Sequence, residues 1–147
     1  MRRRRGHAAT PGGGEVTYVT DTHALVLFAS GALADVSLRA ARIFRRAEGE
    51  RDRIHVPVVC LFEILMLLER RHITMRMDLD EWHALISRLP GLPLEPLGWD
   101  DIREARGLAR LVDPFDRLIA ASAVRLDVPL ITGDERIRGS GLVRTVW

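Results

Sequence analysis

The chain has 147 residues, 47% of them hydrophobic and 29% charged, which is typical of one globular domain with a sizeable core. No apolar run is long enough to cross a bilayer and no secretory signal is evident, so we expect a cytoplasmic protein without membrane contact. The net charge of +2 arises in residues 1–14, which hold four arginines and no acid, because the other 18 basic residues face 20 acidic ones. The composition therefore excludes a uniformly basic nucleic-acid-binding domain.

Residues 1–14 differ in composition from the rest of the chain. They are rich in Gly, Pro and Arg and lack periodicity, which predicts a disordered tail. Residues 15–147 are expected to form a single domain. The single cysteine, Cys60, excludes an internal disulfide, and its apolar surroundings indicate a small buried hydrophobic side chain.

Short apolar runs alternate with longer helical segments along residues 15–147. Asp113 suits the N-cap of the best-defined helix and Pro114 its first position. This alternation predicts an α/β fold with a mainly parallel sheet of four to five strands, and the two prolines of the third strand indicate a sheet edge. The predicted elements are strand 16–20, helix 21–29, helix 37–48, strand 54–58, helix 61–70, helix 79–89, strand 92–97, helix 99–111, helix 113–126, strand 128–132 and strand 142–147.

Two of these helices carry specific predictions of burial. Leu38, Ala41 and Phe44 recur at a spacing of three and predict the buried face of helix 37–48. Helix 61–70 is strongly apolar, so it is predicted to be buried, either in the core or at an interface.

Four acidic residues occupy positions where apolar side chains are expected. Asp21 and Asp134 follow predicted strands, Glu63 lies inside an apolar run, and Asp116 falls on the buried face of its helix. A buried carboxylate costs free energy unless a positive charge accompanies it. The carboxyl ends of parallel strands share one edge of a sheet, so we expect the four side chains to meet there. Clustered oxygen ligands suit Mg²⁺ or Mn²⁺, which predicts a metal site.

Several of these acids also have a structural interpretation when each is considered alone. Asp21 and Asp116 are both placed to cap helices, and Asp134 is compatible with a simple Gly-Asp turn. Asp113 is explained as an N-cap, with a supporting role at the site left open. His23 is close enough in sequence to touch the site, but a structural or surface role is the favoured interpretation. The metal-site prediction therefore rests on the four acids together.

The chain resembles the PIN domain family, and specifically its VapC toxins, in four short segments. These are Asp-Thr-His-Ala-Leu at 21–25, Phe-Glu-Ile at 62–64, Asp-Pro-Phe-Asp at 113–116 and Thr-Gly-Asp at 132–134. The resemblance extends over residues 16–147. It implies a PIN-like three-layer α/β/α sandwich with a mainly parallel central sheet.

The resemblance also implies an activity. It assigns Asp21, Glu63, Asp116 and Asp134 as the catalytic and metal-binding residues of a Mg²⁺-dependent endoribonuclease toxin, with Mn²⁺ as a possible substitute. Asp21 and Asp116 are expected to bind the ion directly. Glu63 and Asp134 are expected to act through water or on a second ion. The reaction is hydrolysis of an RNA phosphodiester bond, in transfer or ribosomal RNA, by a metal-activated water.

Further residues and partners follow from the same resemblance. Thr22, Thr132 and Asp113 are expected to support the carboxylates, and Arg117 and the arginines of 39–46 are candidates for RNA contacts. The expected partners are an antitoxin that covers the site and a second copy of the chain.

The sequence departs from the family pattern at three positions without losing a carboxylate. Leu27 stands where a Trp is frequent, Leu111 where a His is frequent, and Cys60 where a Ser is usual. These departures bear on the choice of substrate.

Two other classes of function remain as alternatives. The first is a non-catalytic PIN-like module that binds RNA or protein, against which the four retained acids argue. The second is a phosphatase of the haloacid dehalogenase type, suggested by Asp21 at the end of a strand. That chemistry needs a second Asp two residues later, and His23 stands there instead.

Overall fold

A computed structural model describes residues 14–72 and 76–147, so the predicted tail lies almost entirely outside the described residues. Short 3₁₀ turns at Leu33–Asp35 and Arg106–Leu108 accompany the regular elements. Each predicted strand and helix has a counterpart in the structure. The elements are β1 Thr17–Thr20, α1 Thr22–Ala29, α2 Leu38–Glu48, β2 Arg53–Pro57, α3 Val58–Glu69, α4 Leu79–Ser87, β3 Leu94–Glu95, α5 Trp99–Ala105, α6 Pro114–Leu126, β4 Leu130–Ile131, α7 Glu135–Arg138 and β5 Thr145–Val146.

The five strands form one parallel sheet in the order β3-β2-β1-β4-β5, and helices cover it in a three-layer α/β arrangement. This confirms the predicted fold class, and β3 lies at an edge as its prolines indicated. From β1, the chain adds β2 and then β3 on one side of the sheet. It then returns to the centre and adds β4 on the other side of β1. Parallel α/β sheets bind ligands at such a reversal, beyond the carboxyl ends of the two strands.

The last three strands are shorter than predicted. Each of β3, β4 and β5 has two residues, whereas the sequence predicted five or six. Pro93 and Pro129 precede β3 and β4, and Pro96 follows β3; none of them has an N–H for the ladder. The prolines therefore help to limit the paired lengths of β3 and β4.

The prediction that Leu38 lies on the buried face of α2 is wrong. Its side chain is 89% exposed, whereas Ala41 and Phe44 are buried. At 100° per residue, Leu38 lies next to the exposed Arg45 on the helix surface, outside the arc that faces the core. The buried residues of this helix are Ala40, Ala41, Ile43, Phe44 and Ala47.

The prediction that the apolar helix α3 is buried is only partly correct. Val59, Cys60, Leu61 and Ile64 face the core, but Phe62 is 54% exposed. An apolar helix shows no periodic contrast, so its sequence does not distinguish a core face from an open one. No helix among residues 14–72 and 76–147 combines the length and apolarity needed to span a membrane.

A buried ionic cluster holds α6 against its neighbours. The Arg125 guanidinium of α6 donates to Asp101 of α5 at 2.7 Å and to Glu95 of β3 at 2.6 Å. Asp101 is 1% exposed and accepts a further hydrogen bond from the Gly98 amide at 2.9 Å. Because the carboxylates are paired and hydrogen-bonded, their burial is tolerated. The cluster fixes the helix that carries Asp116.

Candidate active site

The predicted acids surround one cavity of about 450 Å³, beyond the carboxyl ends of β1 and β4. Asp21, Glu63, Asp116 and Asp134 all line it, and Asp113 adds a fifth carboxylate. The cavity therefore lies where the order of the sheet reverses. The structure brings together side chains separated by more than 100 residues of sequence.

Asp21 is held rigidly between β1 and α1. Its amide donates to the Ile131 carbonyl of β4 at 3.1 Å, which continues the pairing one residue past the end of β1. Its carboxylate caps α1 by accepting from the Ala24 amide at 2.8 Å. The side chain is 6% exposed, so Asp21 is both a helix cap and a buried acid.

Glu63 and Asp116 reach the cavity from the first two turns of α3 and α6. Both are half-buried. The rings of Phe62 and Phe115, the residues immediately before them, lie 5.9 Å apart and join the two helices. This contact sets the approach of the two carboxylates from either side of the cavity.

Asp113 is the N-cap of α6, as predicted. Its Oδ1 accepts from the amides of Phe115 at 2.9 Å and Asp116 at 3.0 Å. Pro114 occupies the first turn, where its missing N–H costs nothing. The same carboxylate lines the cavity, so Asp113 combines capping with a negative charge at the site.

Asp134 is already ion-paired. It caps α7 through the Arg136 amide at 2.9 Å, and the Arg136 guanidinium donates to its two oxygens at 3.3 and 3.0 Å. Hydrogen bonds from the Arg136 side chain hold the pKa of Asp134 below its usual value. Of the four predicted acids, Asp134 is thus the one whose charge this structure stabilises.

The two predicted supporting threonines lie beside the carboxylates. Thr132 accepts a hydrogen bond from the Asp134 amide at 3.1 Å, and its hydroxyl partly offsets the raised pKa of Asp21. Thr22 lines the cavity and is 4% exposed. Its hydroxyl lies near Glu63, but among the described residues its oxygen has no partner with hydrogen-bond geometry.

The remaining three acids have raised pKa values. Burial is the main cause for Asp21, Glu63 and Asp116 alike, because it disfavours the charged carboxylate. Repulsion from neighbouring acids adds to it; for Asp116 the largest such contribution comes from Asp113, and its pKa is raised to about 7. A cation placed among these groups would reverse both effects.

The donor set fits a hard divalent cation. Carboxylate and hydroxyl oxygens are the ligands that Mg²⁺ and Mn²⁺ prefer, and the unpartnered buried hydroxyl of Thr22 can bind an ion or its water. Within the described ranges, no group of three or more His, Cys, Asp or Glu side chains is preformed as a metal cluster. Binding would therefore need side-chain movement, including release of Asp134 from Arg136.

A model of one protein family matches most of the chain. The model described as PIN domain matches residues 18–139, which include all four predicted acids. The chain belongs to the PIN domain family. Among the curated proteins, none matches the chain significantly.

Solved structures of toxin–antitoxin complexes share the fold of this PIN domain. VapBC2 from Rickettsia felis, bound to a promoter DNA fragment, has a TM-score of 0.64 at 13% identity, covering 90% of this chain and 99% of that one. DNA-bound VapBC from Salmonella typhimurium has a TM-score of 0.62 at 13% identity, with coverages of 89% and 97%. A toxin–antitoxin complex from Klebsiella pneumoniae has a TM-score of 0.57 at 16% identity, with coverages of 88% and 96%. At these identities the likeness shows the fold.

The predicted arginine contacts lie away from the acids of the PIN domain. Arg117 donates to the Ala105 carbonyl at 2.9 Å and joins α6 to α5; it is not among the residues described as lining the cavity. In the arginine-rich helix α2, Arg46 pairs with the buried Asp52 at 2.8 Å, next to the amino end of β2. An RNA-binding role for Arg117 remains a prediction.

The sequence analysis did not single out four of the side chains that line the cavity, namely Val26, Leu67, Arg136 and Trp147. Arg136 is two residues past Asp134, and its signal was its place in the first turn of a helix that Asp134 caps. Trp147 packs on Gly133, so closely that a Cβ on this glycine would lie 2.7 Å from the indole. His23, for which a structural or surface role was the favoured interpretation, also lines the cavity.

Proposed function

We propose that this PIN domain is a metal-dependent endoribonuclease of the VapC type, the toxin of a type II toxin–antitoxin pair. The observation that carries the proposal is a single cavity ringed by carboxylates, three of which have raised pKa values because burial and mutual repulsion disfavour their charged forms. A divalent cation bound among these carboxylates would stabilise their charged forms. The descriptions of the similar solved structures, which name VapBC and toxin–antitoxin complexes, support the pairing.

The four acids would divide into two pairs with different tasks in the proposed reaction. Asp21 and Asp116 would hold Mg²⁺, or Mn²⁺ in its place, while Glu63 and Asp134 would act through water or on a second ion. The bound ion would supply an activated water and neutralise the RNA phosphate. The hydrogen bond from the Ala24 amide fixes the carboxylate of Asp21 before substrate arrives, so this ligand would need little reorganisation. Thr22 would orient Glu63 or a water beside it.

The proposed partners are an antitoxin and a second copy of the chain. An antitoxin would regulate the enzyme by covering the acidic cavity. The open side of α3, where Val58 is 40% and Phe62 54% exposed, is the apolar surface we assign to the contact between two copies. Sedimentation velocity over a range of protein concentrations checks this assignment, and a monomer throughout would contradict it.

The proposed activity is tested by removing single carboxylates from the full chain. Asp21→Asn and Asp116→Asn should each lower Mg²⁺-dependent cleavage of transfer or ribosomal RNA by at least about 100-fold, since each loses a direct ligand of the ion. The measurement is the rate of appearance of new 5′-phosphate ends. Asp100→Asn is the matched control, because Asp100 is an exposed acid outside the cavity.

Two results would contradict the proposal. One is full Mg²⁺-dependent cleavage by both variants, which would move the chemistry elsewhere. The other is failure of the unaltered chain to cleave RNA together with absent Mg²⁺ binding in calorimetry, which would favour the non-catalytic module.

A further inference from the structure

A second cavity of about 280 Å³ opens beside the acidic one. The two cavities share the side chains of Asp113, Asp116 and Arg136, so one continuous depression runs past Asp116. The residues that line only the second cavity are Arg110, Leu111, Val112 and Ile137.

Two arginines from different parts of the chain line this second cavity. Arg110 lies on the segment before α6 and donates through Nη2 to the Ser140 carbonyl at 3.3 Å. Arg136 lies on α7 and donates to Asp134 through Nε and Nη2. A guanidinium has five N–H donors, so these described contacts use one donor of Arg110 and two of Arg136. Both side chains retain donors for an anion.

Apart from the carboxylates of Asp113 and Asp116, which it shares with the acidic cavity, the rest of the second cavity is apolar. Leu111 and Ile137 are buried in its floor, and Val112 is 90% exposed at its rim. Guanidinium groups bind phosphate oxygens in two-pronged fashion, while apolar side chains contact sugars and bases. The lining therefore offers contacts for both parts of a nucleotide: guanidinium groups for the phosphate, and apolar side chains for the sugar and base.

We infer that this second cavity is a nucleotide subsite, in which Arg110 and Arg136 bind an RNA phosphate next to the one that is cleaved. The inference rests on the proposed function, because it takes the reacting phosphate to lie in the acidic cavity. A polymeric substrate must continue past that cavity, and the depression beside Asp116 offers it cationic groups. Arg136 belongs to both cavities, so its transfer from Asp134 to the RNA would release Asp134 as the substrate binds.

The subsite is tested by the salt dependence of RNA binding without catalysis. The probe is a short fluorescent single-stranded RNA, and anisotropy is measured in a chelator over a range of NaCl concentrations. Each phosphate contact adds about 0.7 to the slope of log Kd against log salt concentration for single strands, so Arg110→Gln and Arg136→Gln should each lower the slope by about 0.7. The double variant should lower the slope at least as far as either single variant but by less than the sum of the two, because both guanidiniums contact the same phosphate.

Each variant has a matched control elsewhere on the surface. Arg88→Gln matches Arg110→Gln, because Arg88 is an exposed arginine that donates once to a carbonyl, that of Ala84 at 3.3 Å. Arg144→Gln matches Arg136→Gln, because Arg144 is an exposed arginine paired with Asp127 at 3.0 Å. Neither control residue lines the two cavities, so both slopes should equal that of the unaltered chain.

The outcomes separate the subsite from the proposed function. Arg110→Lys should restore the slope, because the contact depends on charge, and circular dichroism should show all variants folded. Slopes in Arg110→Gln and Arg136→Gln equal to those of their controls would overturn the subsite, even if the chain cleaves RNA. Lower slopes in a chain that fails to cleave RNA would leave the subsite supported and the proposed activity contradicted.

Discussion

Gly133 leaves just enough room for the indole of Trp147. The Cβ of any other residue here would lie 2.7 Å from Cε2 and 2.8 Å from Cζ2 of that ring, inside van der Waals contact. The glycine is therefore needed because of its size, and its presence lets an aromatic side chain form one wall of the acidic cavity. The lack of a side chain at Gly133, two residues past β4, thus allows the indole of Trp147, one residue past β5, to shape the site.

We predict that Gly133→Ala displaces the indole of Trp147. Forcing a methyl group into occupied space should cost about 1–3 kcal/mol of unfolding free energy. Urea unfolding measures the loss, and tryptophan fluorescence reports the displaced ring. Gly107→Ala is the control, because a Cβ at Gly107 meets nothing within 4 Å. Equal stability and equal spectra for the two variants would contradict the prediction.

Helix α6 connects the buried ionic cluster to the acidic cavity. Arg125 in its last turn is held by Asp101 and Glu95, while its first turn presents Asp116 to the site. Asp113 caps the amino end of the helix. One of its two carboxylate oxygens accepts hydrogen bonds from two backbone amides. An acid at this end of a helix is favoured by the helix dipole, which partly offsets the cost of placing it beside Asp116.

We predict different effects for two substitutions of Asp113. Asp113→Ala removes the cap and should lower the unfolding free energy by about 1 kcal/mol relative to Asp113→Asn, which keeps a capping oxygen. Both variants lose the negative charge, so their difference isolates the cap. Urea unfolding of the two at the same pH is the measurement. Equal midpoints would show that Asp113 acts through its charge alone.

At the scale of the whole molecule, the sequence predicted the elements other than α7, the parallel sheet and the edge position of β3. The helices and the edge strand were predictable from local features: Asp113 and Pro114 begin a helix, and the prolines of the third strand indicate a sheet edge. The short length of β3 was not predicted. The open face of Phe62 was not predictable, because apolar helices look alike whether or not a partner covers them. The pairing of Asp134 with Arg136 needed the actual course of α7. Such a contact depends on how the side chains are placed in three dimensions, which the spacing of residues along the sequence does not specify.

The raised pKa values make the stability of the whole chain depend on pH. A carboxyl whose pKa is higher in the folded chain binds its proton more tightly there, so its stabilising effect is complete below the unfolded pKa. For Asp116 that effect is lost as the pH rises from 3.8 through about 7. Asp21 and Glu63 shift in the same direction. The free energy of unfolding of the metal-free chain should therefore fall as the pH rises towards neutral.

We predict that Asp116→Asn flattens this pH dependence. In a chelator, the unaltered chain should lose about 1–2 kcal/mol more than the variant between pH 5 and pH 8, a value reduced for solvent screening. Thermal unfolding at a series of pH values provides the comparison. Added Mg²⁺ should restore the stability of the unaltered chain at pH 8. Parallel curves for the two proteins would contradict the prediction.

The raised pKa of Asp116 also connects binding of a metal ion to the pH of the solution. Burial and the neighbouring acids raise this pKa to about 7, so the carboxyl binds a proton more readily than an exposed Asp does. If the site binds Mg²⁺ as proposed, the ion must displace that proton, so its uptake would acidify the solution. The apparent affinity for the ion would then fall as the pH falls. Occupancy of the site would follow pH as well as magnesium concentration.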